Sequence, residues 1–328
     1  MKNNLLTILT LLLAASIMGC QDKMEGVHTF THLNDTLTIE HSEPSSKFVQ
    51  AANEVFKERI DLLYAPSGYV AKINQTRSDV EVDGEFANLL RNLISISEMT
   101  ERAYTPLMGK MIELWGINDP EPRIADYDLL MQAVVDIAES QLIISDDNKV
   151  TVSGSANLDL GMAGIGWALD GVASIMQNSG VKSAKVHCKG IYRIWIDKEE
   201  NKKWSVDMIK PFPDDDIGYQ LFPQAGGTCI IEVEQLTFQY GTQKYHHIIN
   251  PTTGFPTSDV HTVLYWAPTS SEAAALAYAA IVLGRSETFS MTEEHPQYAI
   301  FMVYEGTFGI AAEFDSQVMK WLRMEVVK

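Results

Sequence analysis

Two adjacent histidines, followed within ten residues by two prolines and a glycine, make the best-equipped chemical stretch of the chain: Lys244-Tyr245-His246-His247-Ile248-Ile249-Asn250-Pro251-Thr252-Thr253-Gly254-Phe255-Pro256. Imidazole changes charge near neutral pH and offers one donor and one acceptor, so it can serve as a base or as a ligand contact. The hydroxyls and backbone N–H groups of Thr252 and Thr253 suit phosphate oxygens. Read from spacing alone, the same histidines equally alternate across a sheet, one packed and one exposed. A second stretch, Leu158 to Asp170, places small residues at Gly161, Ala163, Gly164 and Gly166 ahead of a helix. Small residues there let a cofactor approach the backbone at a helix N-terminus, and they equally allow close helix–sheet packing.

These residues need a scaffold, and its elements are legible. Tyr245 to Ile249 has the β-branched and aromatic content of a strand, and Asn250-Pro251 with Gly254 and Pro256 forces a tight turn after it. Helical spacing of apolar residues covers Lys47 to Leu63, then the segment capped by Asp83, then Asp126 to Ala138 with Leu129, Leu130, Ala133, Val134 and Ile137 inward. An alanine-rich helix over Ser271 to Leu283 ends at Gly284. Strands are expected near residues 36–39, 142–144, 149–152, 184–187 and 191–197, with Trp204 to Met208 paired back on the last of these. Further strands are expected over 229–234, 236–240, 260–266, 299–303 and 308–312.

The 328 residues, 46% hydrophobic and 21% charged, fit one large domain or two intimately joined. The formal net charge of -18 repels phosphate backbones and argues against nucleic acid as a partner. Lys2 and the apolar run Leu5 to Met18 read as a signal peptide over 1–19. It ends in Ser16-Ile17-Met18-Gly19-Cys20, which resembles a bacterial lipobox, so Cys20 is the expected lipidation site. Residues 20–45 then form a tether and 46–328 the folded part. The expected address is the bacterial cell envelope, lipid-anchored and extracytoplasmic. Cys188 and Cys229 read as a disulfide or as two buried thiols, and no Cys/His metal spacing exists.

The histidine run resembles the H-H-I-I-D-P-x-T-G-x-P signature of the FAD:protein FMN transferases (the ApbE family), with Asn250 in place of the aspartate. Arg102 to Leu107 followed by Leu114-Trp115-Gly116 is similar to the family's G-A-F-D-P-T and L-W-G; Tyr104, Pro106 and L-W-G are kept, Thr105 and Leu107 are not. Leu158 to Asp170 resembles D-L-G-G-I-A-K-G-Y-A-V-D. Asp159, Gly161, Gly166 and Asp170 match it, while Ile165 takes the place of the lysine. Lys189-Gly190-Ile191 corresponds to a G-G-D-type flavin turn with one glycine left. The metal-binding helix D-A-L-A-T-A puts Ala274 and Tyr278 at its two ligand positions.

The resemblance implies an α+β, ApbE-like fold of two intertwined subdomains, with mixed or antiparallel sheets flanked by helices and flavin in a cleft. It implies that FAD is split at its pyrophosphate and FMN is transferred, with Mg²⁺, to a Thr or Ser of an extracytoplasmic electron-transfer subunit. It assigns flavin contacts to Tyr104, Asp159, Gly161, Gly166, Asp170, Gly190, His247, Pro251, Thr253 and Gly254, with Trp167 and Tyr104 as stacking surfaces and His247 as the catalytic candidate. The implied cofactors are FAD and Mg²⁺; the implied partners are the flavin nucleotide, the acceptor subunit and, through Cys20, a lipid bilayer. Phosphoryl-type transfer depends on cations around the phosphates. With Ile165, Ala274 and Tyr278 in those places, the chain has no metal ligand there. It reads either as a divergent transferase compensated by Lys189, Asp259 or Glu272, or as a non-catalytic flavin-binding or assembly lipoprotein.

Overall fold

Cys229-Ile230-Ile231, Val263 to Trp266 and Ile300 to Val303 are uninterrupted apolar runs, the pattern of strands covered on both faces. In the computed structural model of the chain they lie inside an eight-stranded antiparallel sheet. The structure describes residues 26–326 apart from 44–45, 118, 120–122, 198–203, 208, 210–216, 241 and 258, so Cys20 and the leader lie outside the described residues.

In chain order, a hairpin of β1 (Gly26–His32) and β2 (Asp35–His41) precedes helices α1 (Val49–Tyr64) and α2 (Tyr69–Thr76). Short β3 (Val80–Glu81) leads to α3 (Gly84–Met99), α4 (Gly109–Trp115) and α5 (Tyr127–Glu139). The pair β4 (Gln141–Ile144) and β5 (Lys149–Ser153) is followed by α6 (Gly161–Asn178), β6 (Ser183–Cys188) and β7 (Ile191–Ile196). Then come β8 (Ile217–Leu221), β9 (Gly226–Glu232), β10 (Thr237–Tyr240) and β11 (Gln243–His246). The chain closes with β12 (Val260–Ala267), α7 (Ser270–Leu283), α8 (Arg285–Glu294), β13 (Ala299–Gly306), β14 (Gly309–Phe314) and β15 (Leu322–Val326). The main sheet runs β1-β2-β6-β7-β9-β12-β13-β14; β3-β5-β4, β10-β11 and β8-β15 form separate small sheets.

Period-two alternation sends neighbouring residues of the central strands into two cores. Cys229, Ile231, Val263, Tyr265, Ile300 and Met302 face the helices, packed with α1, α6 and α7. Ile230, Leu264, Trp266, Phe301 and Val303 face the opposite side, where Trp204, Val206, Ile209 and Leu221 cover them. The resulting class is the expected α+β, with the large sheet wholly antiparallel.

Helices α6 and α7 meet at a glycine. A Cβ on Gly166 would stand 2.4 Å from the Ser270 carbonyl oxygen, so only glycine permits this approach. Gly164 faces Leu63 of α1 in the same way, at 3.0 Å. Residues 161–167, expected as a cofactor loop, are therefore the first turns of α6, because tight helix packing offsets the helix cost of their glycines. Asp170 accepts from Ser270 N–H at 2.8 Å and from Ser271 N–H and Oγ–H at 3.1 Å each, which satisfies the N-terminus of α7.

Several expectations change. Residues 26–41, read as tether apart from one strand, supply two strands of the main sheet. The Leu33-Asn34 turn lacks glycine, although both residues adopt left-handed φ of 45° and 69°, so the hairpin signal is weak. Leu129 is 55% exposed rather than inward. Val206 pairs with Leu221 of β8 instead of folding back on β7, with Met208 outside the described residues. The histidine strand stops at His246, three residues early, and α2, α8 and β15 went unread. Cys188 and Cys229 each stand opposite Ile191, one on either side. They are thus two strands apart, about 9.6 Å, beyond disulfide reach, and both are buried free thiols.

Because Asp170 alone satisfies several donors at the α7 N-terminus, Asp170→Ala should lower the unfolding free energy by about 2–3 kcal/mol in urea denaturation. Asp170→Asn, which keeps one acceptor, should recover part of that loss.

Candidate functional site

The two histidines separate into different roles. His246 Nδ1 accepts the Ile248 N–H at 3.1 Å, which leaves Nε2 to donate to the Thr257 carbonyl. Burial holds its pKa below the usual value, so it is a neutral, doubly satisfied residue that fixes the turn. His247 follows in a bend, tilted on Phe238 with ring centroids 5.8 Å apart. Its Nε2 is buried without a hydrogen-bond partner among the described residues. Burial, then the neighbouring His246, pushes its pKa down as well. A neutral imidazole with one unmet nitrogen is what a ligand contact requires.

The turn beyond is self-contained. Ile249 bridges Pro256, and Asn250 closes the loop through its N–H to Phe255 O at 2.9 Å and through Gly254 N–H to Asn250 O at 2.8 Å. Asn250 Oδ1 accepts from Thr252 N–H and Oγ1–H, an Asx turn, so the Thr252 hydroxyl proton is spent inside the loop. Thr253 Oγ1 accepts from Phe255 N–H at 3.3 Å and keeps its proton to donate. Gly254, at φ 78°, seats against Leu130, Met131 and Val134 of α5, and Trp115 Nε1 donates to its carbonyl at 2.9 Å. Gly254 thus docks the turn onto α4 and α5, and Pro251 is buried.

Helix α7 reaches this turn through Tyr278. Its hydroxyl donates to Ile249 O at 2.7 Å and accepts from Ile249 N–H at 3.0 Å. Burial raises its pKa far above the ordinary phenol, with a smaller contribution from Asp159, so it stays a neutral phenol. The Tyr104 ring stands edge-on to it with centroids 6.2 Å apart, and Tyr104 Oη donates to Leu160 O at 3.4 Å. Leu160 and Gly161 open α6; Asp159 Oδ1 accepts from Gly161 N–H at 2.8 Å, and burial raises the Asp159 pKa. Gly161 takes φ 52°, and its Cβ direction is open, with nothing nearer than 4.0 Å. The phenol of Tyr64, at the end of α1, reaches Gly161 O at 3.4 Å.

One end of the main sheet supplies the remaining wall. Turns 33–34 and 189–190 close β1–β2 and β6–β7 on the same side, because β2 and β6 pair directly. Gly190, at φ 74°, brings its backbone so near β9 that an added Cβ would lie 2.6 Å from Ile230 O.

The structure therefore gathers Tyr104, Asp159 and Gly161 around Tyr278, with the Gly190 turn at the sheet end beside Tyr64, while His247 lies two residues before the Ile249 peptide that Tyr278 binds, its ring on Phe238. It gives Gly166 and Asp170 packing work between α6 and α7. Trp167 faces away, edge-on to Phe86, with Arg59 stacked 4.3 Å over its ring and paired with Glu85. Sequence reasoning missed Tyr64, and no local motif marks it; only the tertiary approach of α1 to α6 reveals it. A cavity of about 280 Å³ lies on the Trp167 and Arg59 side, and one of about 430 Å³ beyond the α7 C-terminus; neither touches His247 or Asp159.

A divalent metal does not fit at α7. Ala274 is fully buried and offers no oxygen, and Tyr278 already uses its proton and a lone pair on Ile249. Among the described residues no three His, Cys, Asp or Glu side chains cluster as a metal site.

The sequence profile described as the ApbE family matches residues 33–302. A curated FAD:protein FMN transferase of Treponema pallidum is 25% identical over 234 residues, 66% of this chain and 65% of that protein. The chain thus spans somewhat under two thirds of that relative. Another FAD:protein FMN transferase, from Haemophilus influenzae, is 22% identical over 98% of both chains. Among solved structures, the ApbE protein of Thermotoga maritima superposes with a TM-score of 0.78 at 24% identity, covering 91% of this chain and 99% of that one.

The histidine roles are separable by experiment. His246→Ala should lower the unfolding free energy by about 2–3 kcal/mol, since it leaves a carbonyl and an N–H unmet. His247→Ala should change it by less than about 1 kcal/mol, yet weaken FAD binding at least tenfold, about 1.4 kcal/mol. Urea unfolding and a fluorescence titration with FAD read the two effects; unchanged FAD affinity would return His247 to the core.

Proposed function

The chain belongs to the ApbE family, and we propose that it is a flavin-nucleotide-binding envelope protein of that family which does not assist FMN transfer through Mg²⁺. The single observation that carries this reading is the Tyr278 phenol bonded to both polar groups of the Ile249 peptide. A hard cation at this corner would need oxygen ligands with free lone pairs in near-octahedral array. A buried neutral phenol and a buried alanine methyl provide no such set. Binding is supported by the unmet Nε2 of His247, by the open backbone at Gly161 and by relatives that are FAD:protein FMN transferases.

In this reading the residues hold and orient the nucleotide. Tyr104 and Tyr278 present ring surface, and Thr253 keeps a hydroxyl proton for a phosphate or flavin oxygen. His247, neutral, contacts a polar edge or takes the proton of an acceptor hydroxyl. Phosphoryl-type transfer without a metal forgoes on the order of several kcal/mol of charge stabilisation, several factors of ten in rate. The acceptor class, a Ser or Thr of an extracytoplasmic electron-transfer subunit, and the family's transfer activity form the second reading, favoured by the relatives' names.

The full-length chain in detergent should bind FAD with the same affinity, within about twofold, in Mg²⁺ and in EDTA. Incubated with FAD, Mg²⁺ and a flavinylatable acceptor, it should give no fluorescent acceptor band in a gel. Paired Ala274→Asp and Tyr278→Thr should make FAD binding respond to Mg²⁺; Ile165, 5% exposed inside α6, is left unchanged because a lysine there would be buried. Robust Mg²⁺-dependent transfer by the unaltered chain would overturn the reading in favour of the second.

The envelope address rests on Lys2, the apolar run and Cys20. Cys20→Ser should move the protein from the membrane fraction to the soluble one; equally firm membrane retention would remove the lipid anchor from the proposal.

A further inference from the structure

Lys189 occupies the first position of the β6–β7 turn at φ 48°, a left-handed backbone that a lysine adopts at a steric cost. Across the neighbouring hairpin, Asp35 opens β2 and is only 2% exposed. Lys189 Nζ lies 2.5 Å from Asp35 Oδ1, while its own side chain remains 53% exposed. Among the described residues no donor is aligned on that oxygen, so charge rather than a directed hydrogen bond holds the ammonium there. The carboxylate is buried in the protein; the lysine stands at the rim with about half of its side chain in solvent.

That rim belongs to the mouth described above. Asp35, Asp159 and Cys188 all act electrostatically on the Tyr64 phenol, whose hydroxyl reaches the Gly161 carbonyl. Carboxyls and neutral phenols otherwise furnish this end: Asp35, Asp159, Tyr64, Tyr104 and Tyr278. Phosphate brought among them meets no positive charge from Ile165, which is buried in α6. Arg59 is committed to Glu85 and the Trp167 carbonyl on the other side of the helix, and Lys185 to Glu40 further along the sheet. Of the three residues that the sequence offers in compensation, Glu272 closes the capping box of α7 with Thr269. Asp259 lines the cavity beyond the α7 C-terminus. Lys189 alone of the three stands at the mouth.

We propose that Lys189 is the phosphate-contacting cation of this site, swinging from Asp35 to a phosphate oxygen of the bound flavin nucleotide, with Asp35 as its positioning residue. This rests on the flavin-nucleotide reading and deepens it, because it names the part of the ligand that is recognised. The ligand class is then a phosphorylated flavin, FAD or FMN, ahead of the unphosphorylated riboflavin.

The test is a fluorescence titration of the full-length chain in detergent with FAD, FMN and riboflavin, each at low and at physiological salt. Lys189→Gln should weaken FAD and FMN by about tenfold or more, leave riboflavin within about twofold, and flatten the salt dependence of FAD binding. Lys189→Arg should keep the preference for phosphorylated flavins. An FAD affinity for Lys189→Gln within about twofold of the parent, or an equal loss for all three ligands, overturns the assignment. A parent chain that binds none of the three sinks the nucleotide reading along with it, which separates the two failures.

Discussion

The contact on which the site depends is one phenol on one peptide group. Tyr278 donates to Ile249 O and accepts from Ile249 N–H, tying α7 to the segment that follows β11. Each group so buried would otherwise lose its water partner without replacement, a cost of roughly 1–3 kcal/mol apiece. The tie sets the distance between the histidine turn and the helix layer. It also places the Tyr278 ring edge-on to Tyr104, and so positions the Asp159 and Gly161 corner that Tyr104 touches. A hard cation could link a helix to a carbonyl in the same general way, but with a different demand. It would need lone pairs from both sides, whereas the phenol meets a donor and an acceptor with one oxygen.

Much of this was legible because it is local. The Asp83 and Asp126 caps, the β4–β5 hairpin, the capping of α7 and the chain reversal at Asn250 to Pro256 all follow from residue types a few positions apart. The histidine run pointed to the site for the same reason. What escaped depends on distant partners. Gly166 looks like a loop glycine until the Ser270 carbonyl is seen where its Cβ would be. Asp170 carries no mark that it will cap another helix a hundred residues on. Leu129 fits an apolar face by spacing, yet more than half of it stays exposed. The β1–β2 hairpin was hidden because its turn uses Leu33 and Asn34 in left-handed conformations where glycine is the expected signal.

The two histidines show the same division within one dipeptide. Spacing gives one packed and one available residue, but it cannot say which. Chain direction decides: His246 still belongs to β11 and finds Thr257 O and Ile248 N–H around it. His247 comes after the strand has ended, in a bend that turns its ring toward Phe238 and leaves Nε2 unmet. Both rings are held neutral by burial, so the difference between them lies in hydrogen bonding rather than in charge.

On the proposed reading, Ile165, Asn250, Ala274 and Tyr278 amount to one electrostatic change rather than four unrelated ones. A buried carboxylate is tolerable when a cation or several hydrogen bonds compensate its lost hydration, and costly otherwise. On the proposed reading, with Ala274, Tyr278 and Ile165 where the resemblance puts two metal ligands and a lysine, any carboxylate facing them is a liability. Asn250 in the histidine turn is the matching adjustment: its Oδ1 accepts the same Thr252 N–H and hydroxyl that a carboxylate oxygen would, with no charge to neutralise. Asp159 is a carboxyl at this corner without a cation beside it among the described residues; burial raises its pKa, and the Gly161 N–H offsets part of that. On that reading the site works through neutral hydrogen bonds, with Lys189 as the positive charge at its rim. Such a site would hold a phosphorylated ligand from its edge, without the concentrated positive charge that splitting a pyrophosphate demands.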